Sequence, residues 1–225
     1  MATPARRVAA ANPPRPGVRQ LAAIATRDSI LRAATRVFAR HGYDGGSVDQ
    51  ISKAARSYDR MIYYYFGSKE GLYIAVIEEV YRRFNEAEAR LELDEAKPVQ
   101  ALEAVIRFVW TYYQKNPEFI TLLNTENLHR GRHIAKSLRA RELSSPVIGV
   151  TARVLAAGVK QKLFRPDLVA RDVYLMIAAL GYFYLSNRFT LSAFLGESLE
   201  APAALAHWEA FMIDAVLRKV SAARS

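Results

Sequence analysis

Apolar side chains return every three or four residues along most of this chain, the period of α-helices that each bury one face. In the first such run Ile30, Leu31, Ala34, Val37 and Phe38 share a stripe. Thr26 offers an N-cap to this helix, Asp28 sits in its first turn and Gly42 is a stop signal. Ser47 and Gln50 form an S-x-x-Q capping box that opens a short second helix, with Val48, Ile51 and Ala54 turned inward. A third helix is predicted from Tyr58 to Phe66, and Gly67-Ser68 then breaks and re-caps the chain. A long fourth helix runs from Lys69 towards Leu91 on a buried stripe of Tyr73, Val76, Ile77, Val80, Phe84, Ala87 and Leu91. Four later helices are marked by Pro98, Pro117, Pro146 and Pro202 in their first turns, with Asn116 and Ser145 as caps. One more is predicted from Asp167 to about Phe189. No alternating strand pattern bounded by hairpin turns competes, so the fold expected is all-α with about nine helices.

The helix predicted from Asp167 is apolar nearly all round. Val173, Met176, Ile177, Leu180 and Tyr184 make one face, and Tyr174, Ala178, Gly181 and Leu185 another. Such a helix must be covered on both sides. The last helix carries Leu205, Trp208, Met212, Ala215 and Val216 at similar spacing.

Composition adds three constraints. The absence of cysteine excludes disulfides and thiolate metal sites. No apolar run approaches the roughly 18–20 residues that span a bilayer, and the N-terminus lacks the apolar core of a signal peptide, so a cytoplasmic protein without a membrane partner is expected. The net charge of +10 is unevenly spread: residues 1–70 hold 12 Lys/Arg against 5 Asp/Glu, whereas residues 71–225 hold 20 against 17. A polyanion-binding module joined to a nearly neutral domain has that asymmetry. Residues 1–22, with Pro4, Pro13, Pro14, Pro16, Arg6, Arg7, Arg15 and Arg19, are expected to form a disordered basic arm. Residues 23–70 form the basic domain, and residues 71–225 the larger one.

Within the basic part, residues 47–66 place two short helices around a turn of three to four residues, a helix-turn-helix pattern. Small Ala54 and Ala55 would let the helices cross, and Val48, Ile51 and Ile62 would lock them. The second helix then points Tyr58, Asp59, Arg60, Tyr63 and Tyr64 outward, where a major groove would admit them. For Tyr63 and Tyr64 the spacing equally allows a place in the core, where Tyr65 and Phe66 are expected.

Three segments resemble the TetR/AcrR family of regulators. They are Ile30-Leu31-x-Ala-Ala-x-x-Val37-Phe38-Ala-x-x-Gly42-Tyr43, Ser47-Val48-x-x-Ile51-x-x-Ala54-Ala55, and Ile62-Tyr63-Tyr64-Tyr65-Phe66-Gly67-Ser68-Lys69-Glu70-Gly71-Leu72. The resemblance covers about residues 26–75. It implies a dimeric, ligand-responsive regulator, and a repressor released from palindromic double-stranded operator DNA by a small-molecule effector. By it, Ser47, Tyr63 and Lys69 grip phosphates, while Tyr58, Asp59, Arg60 and Tyr64 face bases. The family's turn usually reads Gly-Val-Ser; here it is Arg56-Ser57-Tyr58, and Arg56 lacks glycine's tolerance of positive φ. Arg56 joins the candidate DNA contacts. The resemblance further implies that the last two helices form a four-helix homodimer interface, through Tyr174, Ala178, Gly181, Leu185, Trp208, Met212 and Ala215.

Beyond residue 98 the likeness is weak, and leans towards regulators of aromatic or nitrogen-heterocycle catabolism. Phe84, Trp110, Tyr113, Phe119 and Tyr174 offer apolar walls, and Asn124, Asn127, His129, Arg130 and His133 offer polar groups, a mixture suited to an aromatic or carboxylate effector. Glu126, His129 and His133 share a helix face and admit a metal, though a structural or effector-contacting role is favoured. No nucleophile–base set and no glycine-rich phosphate loop appear, so neither an enzyme nor a cofactor is expected. The rivals are a nonspecific DNA or membrane-surface binder and an all-helical enzyme built on the His/Arg-rich segment.

Overall fold

A computed structural model of the protein describes residues 17–222, apart from the side chains of residues 140, 141 and 143–147. Nine α-helices follow one another among the described residues: α1 (Val18–Gly45), α2 (Val48–Ala55), α3 (Asp59–Phe66), α4 (Lys69–Glu88), α5 (Pro98–Lys115), α6 (Pro117–Leu128), α7 (Ala140–Lys160), α8 (Ala170–Leu195) and α9 (Pro202–Val220). The only other regular element among them is a 3-10 turn at Ile134–Lys136, and one isolated bridge joins Phe164 to Ser221.

Helices α1 to α3 close over Ile30, Ala34, Phe38, Ile51, Ala55 and Ile62, all buried. Ser29 Oγ donates to the Ala55 carbonyl at 3.2 Å and so ties α1 to the end of α2. The C-terminal bundle packs α5 against α7, α8 and α9, with α7 also on α4. Its core holds Leu102, Val109, Trp110, Val154, Ile177, Met212 and Val216. The end of α9 is pinned back on the α7–α8 connection, where Arg165 N–H donates to the Val220 carbonyl and Ala222 N–H to that of Leu163.

Several boundaries differ from expectation, each for a local reason. The first helix begins at Val18, so residues 18–22 of the expected arm are helical, while residues 1–16 lie outside the described residues. Thr26 is not a cap: it lies inside α1, and its hydroxyl donates back to the Ala22 carbonyl. Gly42 does end the regular helix, at φ 69°, where an L side chain is strained, and one further turn follows it. Asp167 does not start α8, which begins at Ala170 after an extended Val169; the Asp167 carboxylate accepts from Arg165 at 2.7 Å. Helix α7 starts at Ala140 and runs through Pro146, so the Ser145-Pro146 signal lies within the helix; a proline there costs a backbone hydrogen bond without ending it. Helix α4 stops at Glu88, leaving Leu91 beyond it and half-buried.

Candidate nucleic-acid interface and aromatic cluster

The capping box forms as the sequence implies. Ser47 Oγ accepts from Gln50 N at 3.1 Å, and Ser47 N donates to Gln50 Oε1 at 2.9 Å. At the other end of α2, Arg56 adopts φ 52° and ψ 45°, the left-handed conformation that suits glycine. Ser57 N–H then closes on the Ser52 carbonyl at 2.9 Å, and the chain enters α3 with Tyr58 as its N-cap. The crossing uses Ile51, Ser52 and Ala55; Ala54 is exposed, one position away from the contact expected of it.

Ile62 is the buried anchor of α3, and the opposite side is bare. Tyr58, Tyr63 and Tyr64 are 72%, 52% and 77% exposed, whereas Tyr65 and Phe66 are half-buried. Arg60 lies with its guanidinium 5.3 Å from the centre of the Tyr58 ring, so two of the base-facing candidates form one unit. Asp59 and Ser47 are exposed beside them. Lys69 is less free than expected: its amine sits 4.8 Å over the Tyr43 ring and 3.5 Å from the Asp44 carbonyl, at the end of α1. Ser68 caps α4 by accepting from Gly71 N.

Behind this head, two of the polar residues expected at an effector site, His129 and His133, lie in a joint with Glu126. Glu126 accepts from His133 N at 2.9 Å and Ile134 N at 3.0 Å, and its other oxygen meets His133 Nδ1 at 2.8 Å. The buried His133 ring lies 4.3 Å from Tyr43, 4.9 Å from Tyr73 and 5.2 Å from His129. His129 Nε2 faces Asp44 at 3.5 Å. Lys136 and Ser137 reach Glu70 and Glu78 of α4, each at 2.6 Å. These contacts knit α6 and the turn after it to the end of α1 and the first half of α4. Glu126, His129 and His133 are therefore brought together, but the glutamate is occupied by protein N–H donors. Asn127 and Arg130 are exposed.

The aromatic walls separate into two sets. Phe84, Tyr113 and Phe119 meet, with Phe119 5.5 Å from Phe84 and 5.4 Å from Tyr113. Tyr81 joins them at 5.5 Å from Phe119. Asn124 lies at the edge, accepting from the hydroxyls of Tyr182 and Ser186. Tyr174 of α8 is half-buried, and burial, with Tyr81 and Glu88 nearby, pushes its phenol up to about 12. Trp110 is not part of this set; it packs edge-on against Tyr184 at 5.5 Å, and Tyr184 stacks on Trp208. Two residues beside the aromatic cluster escape sequence reading, Tyr81 and Glu88. Glu88 falls one turn beyond Phe84 on the buried stripe of α4, and that position is the one signal for it.

The small-residue faces of α8 and α9 are also redistributed. Gly181, Leu185 and Met212 are monomer core, with a Cβ on Gly181 falling 3.3 Å from the Tyr113 ring. Tyr174, Ala178, Trp208 and Ala215 are half-buried. Among the large apolar side chains that α8 and α9 present outward are Leu175, Phe183 and Phe211, at 53%, 58% and 46% exposure, with Trp208 stacked on Phe211 at 4.9 Å; the last turns of α8 also expose Phe189, Phe194 and Leu195. Among the described residues no helix is long and apolar enough to cross a membrane.

Comparison with known proteins accounts for both parts. Residues 30–76 match the model of bacterial regulatory proteins of the tetR family, and residues 98–216 that of the tetracyclin repressor-like C-terminal domain. The chain is 52% identical over 202 residues to the HTH-type transcriptional repressor NicS of Pseudomonas putida, across 90% of this chain and 95% of that one. It is 33% identical over 109 residues to the HTH-type transcriptional repressor SCO4008 of Streptomyces coelicolor, across 48% of this chain and 52% of the other. A bacterial regulatory protein in the tetR family from Rhodococcus RHA1 shares the fold at a TM-score of 0.69 and 19% identity, covering 88% of this chain and 98% of its own. The fatty acid degradation regulator FadR from Bacillus halodurans does so at 0.64 and 20%, covering 85% and 94%.

Proposed function

This chain belongs to the TetR family, as a ligand-responsive DNA-binding transcriptional regulator and not an enzyme, and on that premise we propose that it is a homodimeric repressor freed from a palindromic operator by a small aromatic effector. The observation that carries the DNA reading is the two-sided α3: Ile62 fully buried, Tyr58, Tyr63 and Tyr64 bare. Exposed rings gain little from water but pack on sugar and thymine methyl groups in a major groove. In this reading Arg60, set over Tyr58, and Tyr64 read bases together with Asp59. Ser47, Arg56 and Tyr63 hold phosphates, and Lys69 adds a weaker phosphate contact because Tyr43 and Asp44 already engage it.

Two half-sites about one helical turn apart, 34–36 Å, require two heads. The outward apolar face of Leu175, Phe183 and Phe211 supports a four-helix dimer contact made by α8 and α9, in place of the face that the small residues suggested. The effector site is the aromatic set on α4, α5, α6 and α8. Helix α4 connects it to the head: its 20 residues span about 30 Å, with Lys69 at one end, Tyr73 at the joint, and Phe84 and Glu88 at the other. An effector that binds better when α4 is tilted weakens operator binding, and by linkage the operator weakens effector binding by the same factor. A cytoplasmic location fits a DNA partner.

Selection of bound duplexes from random DNA tests this reading. A palindrome with half-sites one turn apart is expected. Equal binding of all duplexes, with a steep salt dependence, would establish the nonspecific rival instead.

A further inference from the structure

We propose that Glu88 is the effector-recognising group of the C-terminal domain, and that the effector is a small planar aromatic molecule whose edge offers N–H donors, such as an amidine or an aminoheterocycle. This rests on the reading of that domain as the effector-binding part. Glu88 is 1% exposed, and neither carboxylate oxygen has a hydrogen-bond partner. Two other polar groups of the domain, away from Glu88, have protein partners: Glu126 takes three protein N–H groups, and Asn124 takes two hydroxyls. A buried carboxyl left without donors is costly, and an apolar residue of similar size would be the cheaper occupant of a helix core.

The surroundings say what would satisfy it. Glu88 lies one turn after Phe84 and two turns after Tyr81 on α4, and it bears on the Tyr174 phenol across on α8, which Tyr81 also approaches. Its place is thus at the rim of the aromatic set of Phe84, Tyr113 and Phe119. The cation acting on it is Arg153 of α7, but that side chain is 61% exposed and pairs with Glu95 at 3.4 Å. Two free acceptor oxygens beside aromatic faces match a flat ring that stacks on the tyrosines and turns paired N–H groups to the carboxylate. Such a bidentate contact is both strong and geometrically selective. A carboxylate-bearing ring edge would instead place two acids together in a dry site and be rejected.

The probes are benzamidine, 2-aminopyridine and 2-aminobenzimidazole, with 2-methoxypyridine as the isostere lacking N–H donors. Binding is read by calorimetry, and operator release by fluorescence anisotropy, on the full chain. At least one donor compound is expected to bind the wild type and release operator, with affinity falling tenfold or more in Glu88→Gln and in Glu88→Leu. 2-Methoxypyridine is expected to bind wild type and Glu88→Leu alike. Equal affinity of the donor compounds for wild type and Glu88→Leu would overturn the proposal, as would no binding of any of them by the wild type at millimolar concentration. Operator affinity of the two variants, measured without probe, is the separate control. If the wild type prefers operator over random duplex the regulator reading stands whatever the probes do, and if it shows no such preference that reading fails independently.

Discussion

Replacing Glu88 by glutamine removes a titrating group from the interior while keeping its shape, and the consequence for stability follows from burial alone. Burial lifts the Glu88 carboxyl from its ordinary 4.5 to about 7, with Arg153 opposing weakly; the phenol of Tyr174 is the other titratable group facing it. The proton is therefore held more tightly in the folded chain than in the unfolded one. The stability contributed by this group is complete below about pH 4.5 and is lost as the pH rises through about 7. Between about pH 5 and about pH 8.5 the loss amounts to roughly 2–3 kcal/mol, since holding one proton a tenfold more tightly is worth about 1.36 kcal/mol. Urea unfolding of the wild type and of Glu88→Gln, followed by far-ultraviolet dichroism at the two pH values and one protein concentration, measures it. The wild type is expected to lose this much more stability than the variant on going to the higher pH, and Glu88→Gln to be the more stable protein there. Parallel pH curves would refute the reasoning. So would a variant less stable than wild type at about pH 8.5, since that result requires a partner that satisfies the carboxylate.

Other expectations follow from the geometry. Arg56→Gly relieves a left-handed residue and is expected to raise the melting temperature by a few degrees, for a net gain of about 0.5–1 kcal/mol once glycine's added chain entropy is subtracted; scanning calorimetry decides. If Arg56 also holds a phosphate, the same variant binds every duplex more weakly with a shallower salt slope. Arg60→Ala is expected to cost about 1–3 kcal/mol on operator and much less on random duplex, measured by competition binding. A loss of equal size on both would remove Arg60 from base reading. Phe183→Glu places a charge in the outward face of α8 and is expected to yield monomers by sedimentation, with operator affinity falling while helical content is retained. A variant that remains dimeric would move the interface elsewhere.

How much of this is visible in the sequence depends on whether a signal is local. The capping box at Ser47 and Gln50, the stop at Gly42 and the strained turn at Arg56 each depend on a few neighbouring residues, and each appears in place. The bare side of α3 is half legible. The spacing allows Tyr63 and Tyr64 inside or outside, and only the burial of Ile62 with the packing of Tyr65 and Phe66 decides between them. Helix α8 shows why the outward face is hard to place. When residues are apolar on every side, period cannot say which stripe meets the monomer core, and small Gly181 is claimed by the Tyr113 ring. Asn127, Arg130 and His133 are close along the chain, but Gly131, at φ 69°, turns the backbone so that His133 folds back onto Glu126. Glu88 is hidden in the sequence because a glutamate on a helix is ordinarily a solvated one, and its burial depends on α7 packing against α4, a contact between distant parts of the chain.

The joint between the head and the C-terminal bundle constrains how a signal can pass. Breaking one partner out of a buried, hydrogen-bonded pair such as Glu126 and His133 costs roughly 3–5 kcal/mol. Coupling between an effector and an operator is commonly about 1–3 kcal/mol. An effector acting within that range is too weak to open the pair, so under the proposed mechanism the joint moves as one piece. The rings of Tyr43, Tyr73 and His133, in contact within 5.0 Å of one another, make α6, the end of α1 and the first half of α4 a single lever. The compliant part must then lie where packing is less tied by polar contacts. The second half of α4 qualifies, held by the aromatic set around Phe84 and ending on the unpartnered Glu88. A ligand that fills that place and satisfies the carboxylate acts on the far end of the lever, where a small displacement produces the largest rotation of α3 for the least broken bonding.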